Sequence, residues 1–370
     1  MSKQLHIVMH DVPWPADFGG VVDLYYKLKW LHAFGVKIQL HCFVHHRPQQ
    51  PELNKYCEAV HYYERKKRFD LRLPYIVSSR MDKKLLENLA KDDHPILLEG
   101  IHCSYLLYAN LFPHRKIFLR LHNVEHLYYA KLAGHETRLL KKFYYRNEAR
   151  LLKKYEQAVA TKAPVWSVSA ADVEVYKDAF GATDIHFLPV FLPWDEAAPR
   201  AGTGSYCLYH GNLEINENET AALWLIENIF SGLYLPFVIA GKNPSARLKK
   251  AAAVHKHISI VADPAEHQMQ ELIAEAHVNI LPSFNNTGVK LKLLNALYNG
   301  RHCLVNLAGC EGSGVNDACV IAETATEFKA GLQCLFKEEF TETKIQHRSA
   351  VLRSLYNNEQ NARRINAWIW

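Results

Sequence analysis

Short apolar runs alternate with helix-like segments along this chain, and the alternation starts afresh near its middle. LHIVMH (5–10), VKIQLHCF (36–43), AVHYYE (59–64), PILLEG (95–100), KIFLRLHN (116–123) and VWSVS (165–169) read as buried strands. A helix is expected over 20–34, and a long charged helix over 137–161. The stretch LPVFLPWDEAAPRAGTGS (188–205) is rich in Pro, Gly and Ala and reads as a linker. Strand-like runs then return as YCLYHG (206–211), LPFVIAG (235–241), ISIVA (258–262), VNILPS (278–283), HCLVN (302–306) and CVIAE (319–323), with a helix over 217–230. The last thirty residues look helical and carry two tryptophans.

Runs of this kind, separated by helices, build parallel sheets from βαβ units. The expected fold is α/β: two Rossmann-like, doubly wound parallel-sheet domains facing a cleft. The boundaries are 1–190, a linker at 191–204, 205–340, and C-terminal helices at 341–370 that pack back toward the first domain. Two domains suit a length of 370 residues, which is too long for one ordinary core. Ligands of such sheets lie outside the carboxyl ends of the strands.

Composition narrows the class. Hydrophobic residues make up 49% and charged residues 22%, as in a globular protein. No apolar run reaches the ~18–20 residues that span a bilayer, and the start has no signal-peptide anatomy. A cytoplasmic location is expected. The 8 cysteines are scattered without a Cys-x-x-Cys, so neither a disulfide frame nor a zinc site is expected. Charge is uneven: 28 basic and 20 acidic residues up to position 190, against 16 and 18 in the rest. The basic first half suggests an anionic partner or surface, with ordinary solvated lysines as the alternative. No zinc finger, RNA-recognition signature or helix-turn-helix pattern supports nucleic acid in that role.

Four strand ends carry the chemistry. HDVPWPADFGG (10–20) ends on Gly19 and Gly20, which open a helix and let a ligand approach the backbone. LRLHNVEH (119–126) clusters His122, Asn123, Glu125 and His126 where an apolar strand stops. FVIAGKNPS (237–245) has a turn at Gly241 and a compact cation at Lys242, which suits a diphosphate. FNNTGVKLKLLNALYNG (284–300) is a small polar turn, Asn285 to Gly288, leading into a helix near Val289 with Lys290 beside it. Free amides, a helix dipole and hydroxyl groups there suit a phosphate and sugar hydroxyls.

In series, YHGNLEINENETAALWLIENIF (209–230), VIAGKNPS (238–245), ISIVADPAE (258–266), ILPSFNNTGVKLKLLNALYNGRHCLV (280–305) and LRLHNVEHLYY (119–129) resemble the GT-B glycosyltransferases, in particular the large retaining group known as family four. The resemblance covers nearly the whole chain. It implies transfer of a hexose-type sugar from a UDP- or GDP-type nucleotide sugar to a glycan or lipid-linked acceptor, in bacterial cell-surface polysaccharide or glycoconjugate synthesis. It further implies retention of configuration, no metal and no cofactor beyond the donor substrate.

Carried onto this chain, the catalytic residues are His122, Lys242 and Lys290. The donor-binding residues are Gly19, Gly20, Gly211, Asn212, Gly241, Asn286, Thr287, Gly288, Val289 and Asn295. Asp17, Asn123 and Glu125 are acceptor-side candidates. The chain departs from the family at three places. Thr287 and Asn295 stand where the family carries paired glutamates, and Asn212 to Glu219 contains no basic residue. The alternative reading is a GT-B protein that binds a nucleotide or glycan without turnover. The basic segment TRLLKKFYYRNEARLLKKYEQ (137–157) is the candidate contact for an anionic membrane, on the inner face where lipid-linked acceptors sit.

Overall fold

The computed structural model describes residues 3–370 apart from 18, 46, 68, 69 and 286, and apart from the side chain of residue 135. It divides into two compact units, residues 1–193 with 356–370, and residues 194–355.

The first unit holds seven parallel strands: β1 (Gln4–Met9), β2 (Lys37–Val44), β3 (Ala59–Glu64), β4 (Ile96–Glu99), β5 (Ile117–Leu121), β6 (Val165–Ser167) and β7 (Ile185–Phe187). Their order is β3-β2-β1-β4-β5-β6-β7. The strand order reverses between β1 and β4, which pair His6 with Ile96 through Met9 with Glu99. Parallel strands covered on both faces must be apolar on both, and β4 and β5 are buried along their whole length. One face is packed by the core around Leu98, Leu119, Leu152 and Tyr155. The other is packed around Ile7, Leu24, Leu40 and Phe118.

The second unit holds β8 (Cys207–Asn212), β9 (Phe237–Lys242), β10 (Ile258–Ala262), β11 (Val278–Ile280), β12 (His302–Val305) and β13 (Val320–Ile321), in the order β10-β9-β8-β11-β12-β13. All pairs are parallel, and the reversal falls between β8 and β11.

Two boundary expectations change. The stretch expected to be a linker is packed. Phe191 and Leu192 are fully buried, and the Phe191 amide donates to Asp23 at 2.7 Å. Gly204 is held so close to the second unit that a Cβ would lie 2.3 Å from the Glu275 carbonyl. The C-terminal helices also part company. Helix Glu342–Leu355 belongs to the second unit, where Arg348 donates to the Gly300 carbonyl at 2.6 Å. Only helix Asn358–Ile369 packs on the first. There Ile365 and Ile369 are fully buried, and Trp368 lies 5.2 Å from Trp166, centroid to centroid. Its apolar face replaces solvent along that side of the sheet, at roughly 1.5–3 kcal/mol per large side chain.

Candidate functional site

Both strand-order reversals carry polar clusters at their carboxyl ends, where α/β sheets bind ligands. In the first unit His10 follows β1, Glu99 ends β4 with Gly100 after it, and His122 follows β5. His10 and His102 stack with centroids 4.9 Å apart, and His122 meets His10 edge-on at 5.8 Å. Gly100 has φ +83°, and a Cβ there would lie 3.0 Å from His102 Nδ1. The glycine is what lets the imidazoles close in. Burial, then neighbouring cations, hold the His10 ring down to about 3 and the His102 ring well below its usual range. Both are neutral at physiological pH.

Behind His122 lies a buried charge network. Lys27 Nζ sits 2.9 Å from Asp23 Oδ2 and 2.8 Å from Glu99 Oε1, with all three side chains essentially inaccessible. Arg120 clasps Asp23 through two bonds of 3.0 and 2.9 Å and donates to the Leu188 and Pro189 carbonyls. Burial alone would raise the Asp23 carboxyl. Arg120 and Lys27 overcome it and hold the group well below the usual range. Glu99 is held low in the same way, by Lys27 and His122 against burial. His122 Nε2 lies 3.0 Å from Glu99 Oε2, so this network fixes the orientation of the ring. Asp23, Glu99 and His122 form the one group among the described residues with metal-ligand spacing. The Lys27 ammonium already lies between the two carboxylates, so charge there is balanced without an ion.

Asn123 and Glu125 follow on the same loop. Glu125 opens helix Glu125–His135, whose first amides are held by Glu156. Glu156 accepts from the Glu125 and His126 main-chain N–H groups at 2.8 and 3.1 Å, and lies 2.7 Å from His126 Nδ1. The Glu125 side chain is buried beside that carboxylate. Burial first, and then Glu156, push its carboxyl up to about 8, so it is protonated at neutral pH. Asp17 is held by Arg47. Gly19 and Gly20 form the start of helix Gly19–Ala33, whose interior supplies Asp23 and Lys27.

In the second unit, Gly211 pairs with Gly241 and Asn212 with Lys242 at the ends of β8 and β9. Gly241 lies inside β9 and is not the turn expected from the sequence. A Cβ there would fall 1.8 Å from the Gly211 carbonyl oxygen, so the requirement is close strand approach. Lys242 is exposed. The turn after β11 is longer than expected. Gly288 is left-handed, with φ +63°, and the helix begins at Leu291 instead of near Val289. Gly288 and Val289 are therefore loop residues. Asn286 lies outside the described residues.

The expected roles of Thr287 and Asn295 meet competition from internal bonds. Thr287 donates from both its amide and its hydroxyl to Asn285 Oδ1, at 2.9 and 2.8 Å. Asn295 accepts from Asn299 at 2.8 Å along the helix. Lys290 donates to the Thr287 carbonyl at 2.6 Å.

Two further residues complete this cluster: Glu217, which the sequence reading missed, and Lys292, which it named with Lys290 as a source of the missing positive charge but placed less clearly toward the turn. Glu217, from the first turn of helix Asn216–Leu225, accepts from Ser283 Oγ and Asn285 Nδ2, each at 3.1 Å. It brings a carboxylate to a loop that has none of its own. Lys292 turns inward to Tyr209 Oη at 3.1 Å and Asn218 Oδ1 at 2.8 Å. Burial lowers its ammonium to about 8. The signal for both was weak, because each side chain reaches the site from another element.

Two doubly wound parallel-sheet units in succession make up the fold of the GT-B glycosyltransferases, and this chain has that fold. No family model matches it. It is 26% identical over 332 residues to an uncharacterized 44.6 kDa protein in the cps region of Klebsiella pneumoniae, covering 84% of each chain. The solved structure of TarM superimposes with a TM-score of 0.70 at 9% identity, over 100% of this chain and 99% of that one. Anabaena HepE, solved with UDP and glucose, gives 0.66 at 11% identity over the same shares. The trehalose-phosphate synthase of Burkholderia xenovorans, solved with glucose 6-phosphate, gives 0.64 at 11% identity over 99% of each chain.

Proposed function

We propose that the protein is a glycosyltransferase of cell-surface polysaccharide synthesis, taking a hexose-type sugar from a UDP-type donor without a metal. The observation that carries this reading is the cationic, amide-bearing loop at the β8/β11 reversal, with Lys290 and the half-buried Lys292 beside it. A departing nucleoside diphosphate builds up negative charge. Fixed cations and main-chain amides stabilise such charge strongly in a site that excludes water. Lys242, Lys290, Lys292 and the amides of Gly288 and Val289 have that role here. Gly211, Asn212, Gly241, Thr287 and Asn295 shape the donor site, and Glu217 fixes the loop from below. Gly19 and Gly20 stay in the proposed donor-binding set as glycines that open helix Gly19–Ala33.

His122 orients the transferred sugar, braced by Glu99. The acceptor hydroxyl attacks on the face from which the diphosphate departs, with retention of configuration, and a phosphate oxygen takes its proton. Asp17, Asn123 and Glu125 line the acceptor side. The relative from a cps region and the neighbour solved with UDP and glucose support the choice of pathway class and donor.

The test is a thermal-shift screen against UDP, GDP, ADP, CMP and their sugars. A rise in Tm with one nucleotide, lost in Lys292→Met, is expected. No shift with any nucleotide would remove the reading. A second reading, binding without turnover, is favoured by the internal hydrogen bonds of Thr287 and Asn295. Nucleotide binding with neither transfer nor donor hydrolysis would establish it.

The acceptor is proposed to be presented at an anionic bilayer. No described helix is long and apolar enough to cross a membrane. Helix Leu139–Val159 instead exposes Leu139, Leu140 and Phe143 by 82%, 90% and 74% at its first turns, among Arg138, Lys141, Lys142 and Arg146. Apolar side chains flanked by cations suit shallow insertion among acidic headgroups. Flotation with acidic but not neutral liposomes is the expected result. Equal or no retention on both would exclude it.

A further inference from the structure

Arg80 is a buried cation held by main-chain carbonyls. The residue is 8% exposed. It donates from Nε to the His10 carbonyl at 3.1 Å and from Nη1 to the Ile76 carbonyl at 2.8 Å. Among the described residues no carboxylate pairs with it. Asp11 acts on it only from a distance, and the Asp11 carboxylate accepts the Val12 amide at 2.8 Å. Glu125, which the Arg80 charge also reaches, is neutral at physiological pH. The rings beside it, His10 and His102, are neutral as well.

Buried charges in folded proteins are ordinarily paired, because an unpaired one loses its hydration without return. Two carbonyl dipoles orient this guanidinium but do not neutralise it. A second group points the same way. His102 Nδ1 is buried with no hydrogen-bond partner. Gly100 lies against both imidazoles, where a Cβ would come 3.0 Å from His102 Nδ1 and 3.6 Å from His10 Nδ1. His10, His102 and His122 are themselves half-buried. All of this lies at the β1/β4 reversal, the position where a doubly wound sheet takes its ligand.

We infer that Arg80, His10 and His102 form a subsite for a sugar bearing a compact anion, a carboxylate or a phosphate, in the first unit. The inference deepens the transferase reading, on which it rests, by giving the chemical class of the sugar bound there. Arg80 receives the anion through its fork of N–H donors. His102 adds a donor from Nδ1 in the matching tautomer, with no proton gained or lost. The neutral Glu125 avoids repelling the incoming charge.

Titration calorimetry on the full chain tests this with glucose, glucuronate and glucose 6-phosphate. One charge-assisted bond predicts about tenfold or greater preference for an anionic sugar over glucose. A preference for glucuronate identifies the anion as a carboxylate, and one for glucose 6-phosphate as a phosphate. Arg80→Met is expected to bring the ratio to about one. His102→Phe, which leaves the carbonyl bonds of Arg80 in place, is expected to reduce it. Equal binding of all three sugars by the wild type overturns the inference, even if Arg80→Met does not fold. So does a preference that survives in a folded Arg80→Met. UDP binding, measured in the same samples, separates the two readings. UDP bound without anion preference leaves the transferase and removes the subsite, whereas no nucleotide bound removes the transferase itself.

Discussion

Replacing Lys27 by Met is expected to damage the first unit more than any surface change could. In the wild type, two carboxylates, Asp23 and Glu99, are balanced by Lys27 and Arg120, and all four side chains are inaccessible to water. Methionine keeps the length of the side chain and removes its charge. Asp23 retains Arg120 and the Phe191 amide, but Glu99 retains only His122. Breaking a buried pair by removing one partner costs about 3–5 kcal/mol. That is a large part of an ordinary total of about 5–15 kcal/mol. For a unit of this size it corresponds to a fall of roughly 6–20 °C in Tm.

The sign with pH follows from the excess charge. The variant holds one uncompensated buried carboxylate, so protonating it relieves the strain. The loss should therefore be larger at pH 8 than at pH 5. Urea unfolding of Lys27→Met, Glu99→Gln and the double variant measures all of this in one cycle. The double variant should recover at least half of the loss. A single-variant loss below about 1 kcal/mol, or no recovery in the double variant, would show that the network is not the buried, charge-balanced device described.

Gly241→Ala should cost about 3 kcal/mol or more, because its Cβ would overlap the Gly211 carbonyl oxygen on a strand that cannot move aside; thermal melting checks it. Acidification should destabilise the fold from about pH 6.5 downward. Burial holds His41 at about 2 and His210 at about 3, so between those values and 6.5 the unfolded chain binds more protons. Stability then falls as pH falls, by about 1.4 kcal/mol per pH unit for each such histidine, and urea titrations at pH 7, 6 and 5 read the slope. UDP affinity should weaken as pH rises through about 8, where Lys292 loses its proton. Lys292→Arg should remove that dependence, and a wild-type Kd unchanged between pH 7 and 9.5 would rule Lys292 out as the phosphate cation. Lys242→Ala should weaken UDP less than Lys292→Met, since Lys242 is exposed and screened by solvent.

The alternation of apolar runs was enough to read the architecture, because a strand buried on both faces must be apolar along its length. AVHYYE and ISIVA are strands over the residues expected, and the other runs shift by one to three residues at their ends. β7 escaped notice. Its three residues, Ile185–Phe187, include an exposed histidine and form no apolar run. The position of the site at the strand ends was also legible, since polar residues that interrupt apolar strands mark where burial stops.

What the sequence left open was which side chains meet there. Glu217 reaches Ser283 across 66 positions, Lys292 reaches Tyr209 across 83, and Arg120 reaches Asp23 across 97. No local period encodes such encounters. Local pattern determined the two sheets and the ends of their strands. Tertiary packing decided that Lys27 fills the space between two acids, that Glu125 keeps its proton, and that Arg80 pairs with no carboxylate among the described residues. Those outcomes depend on burial and on the distance to charges far along the chain, and both come into being only when the sheets assemble.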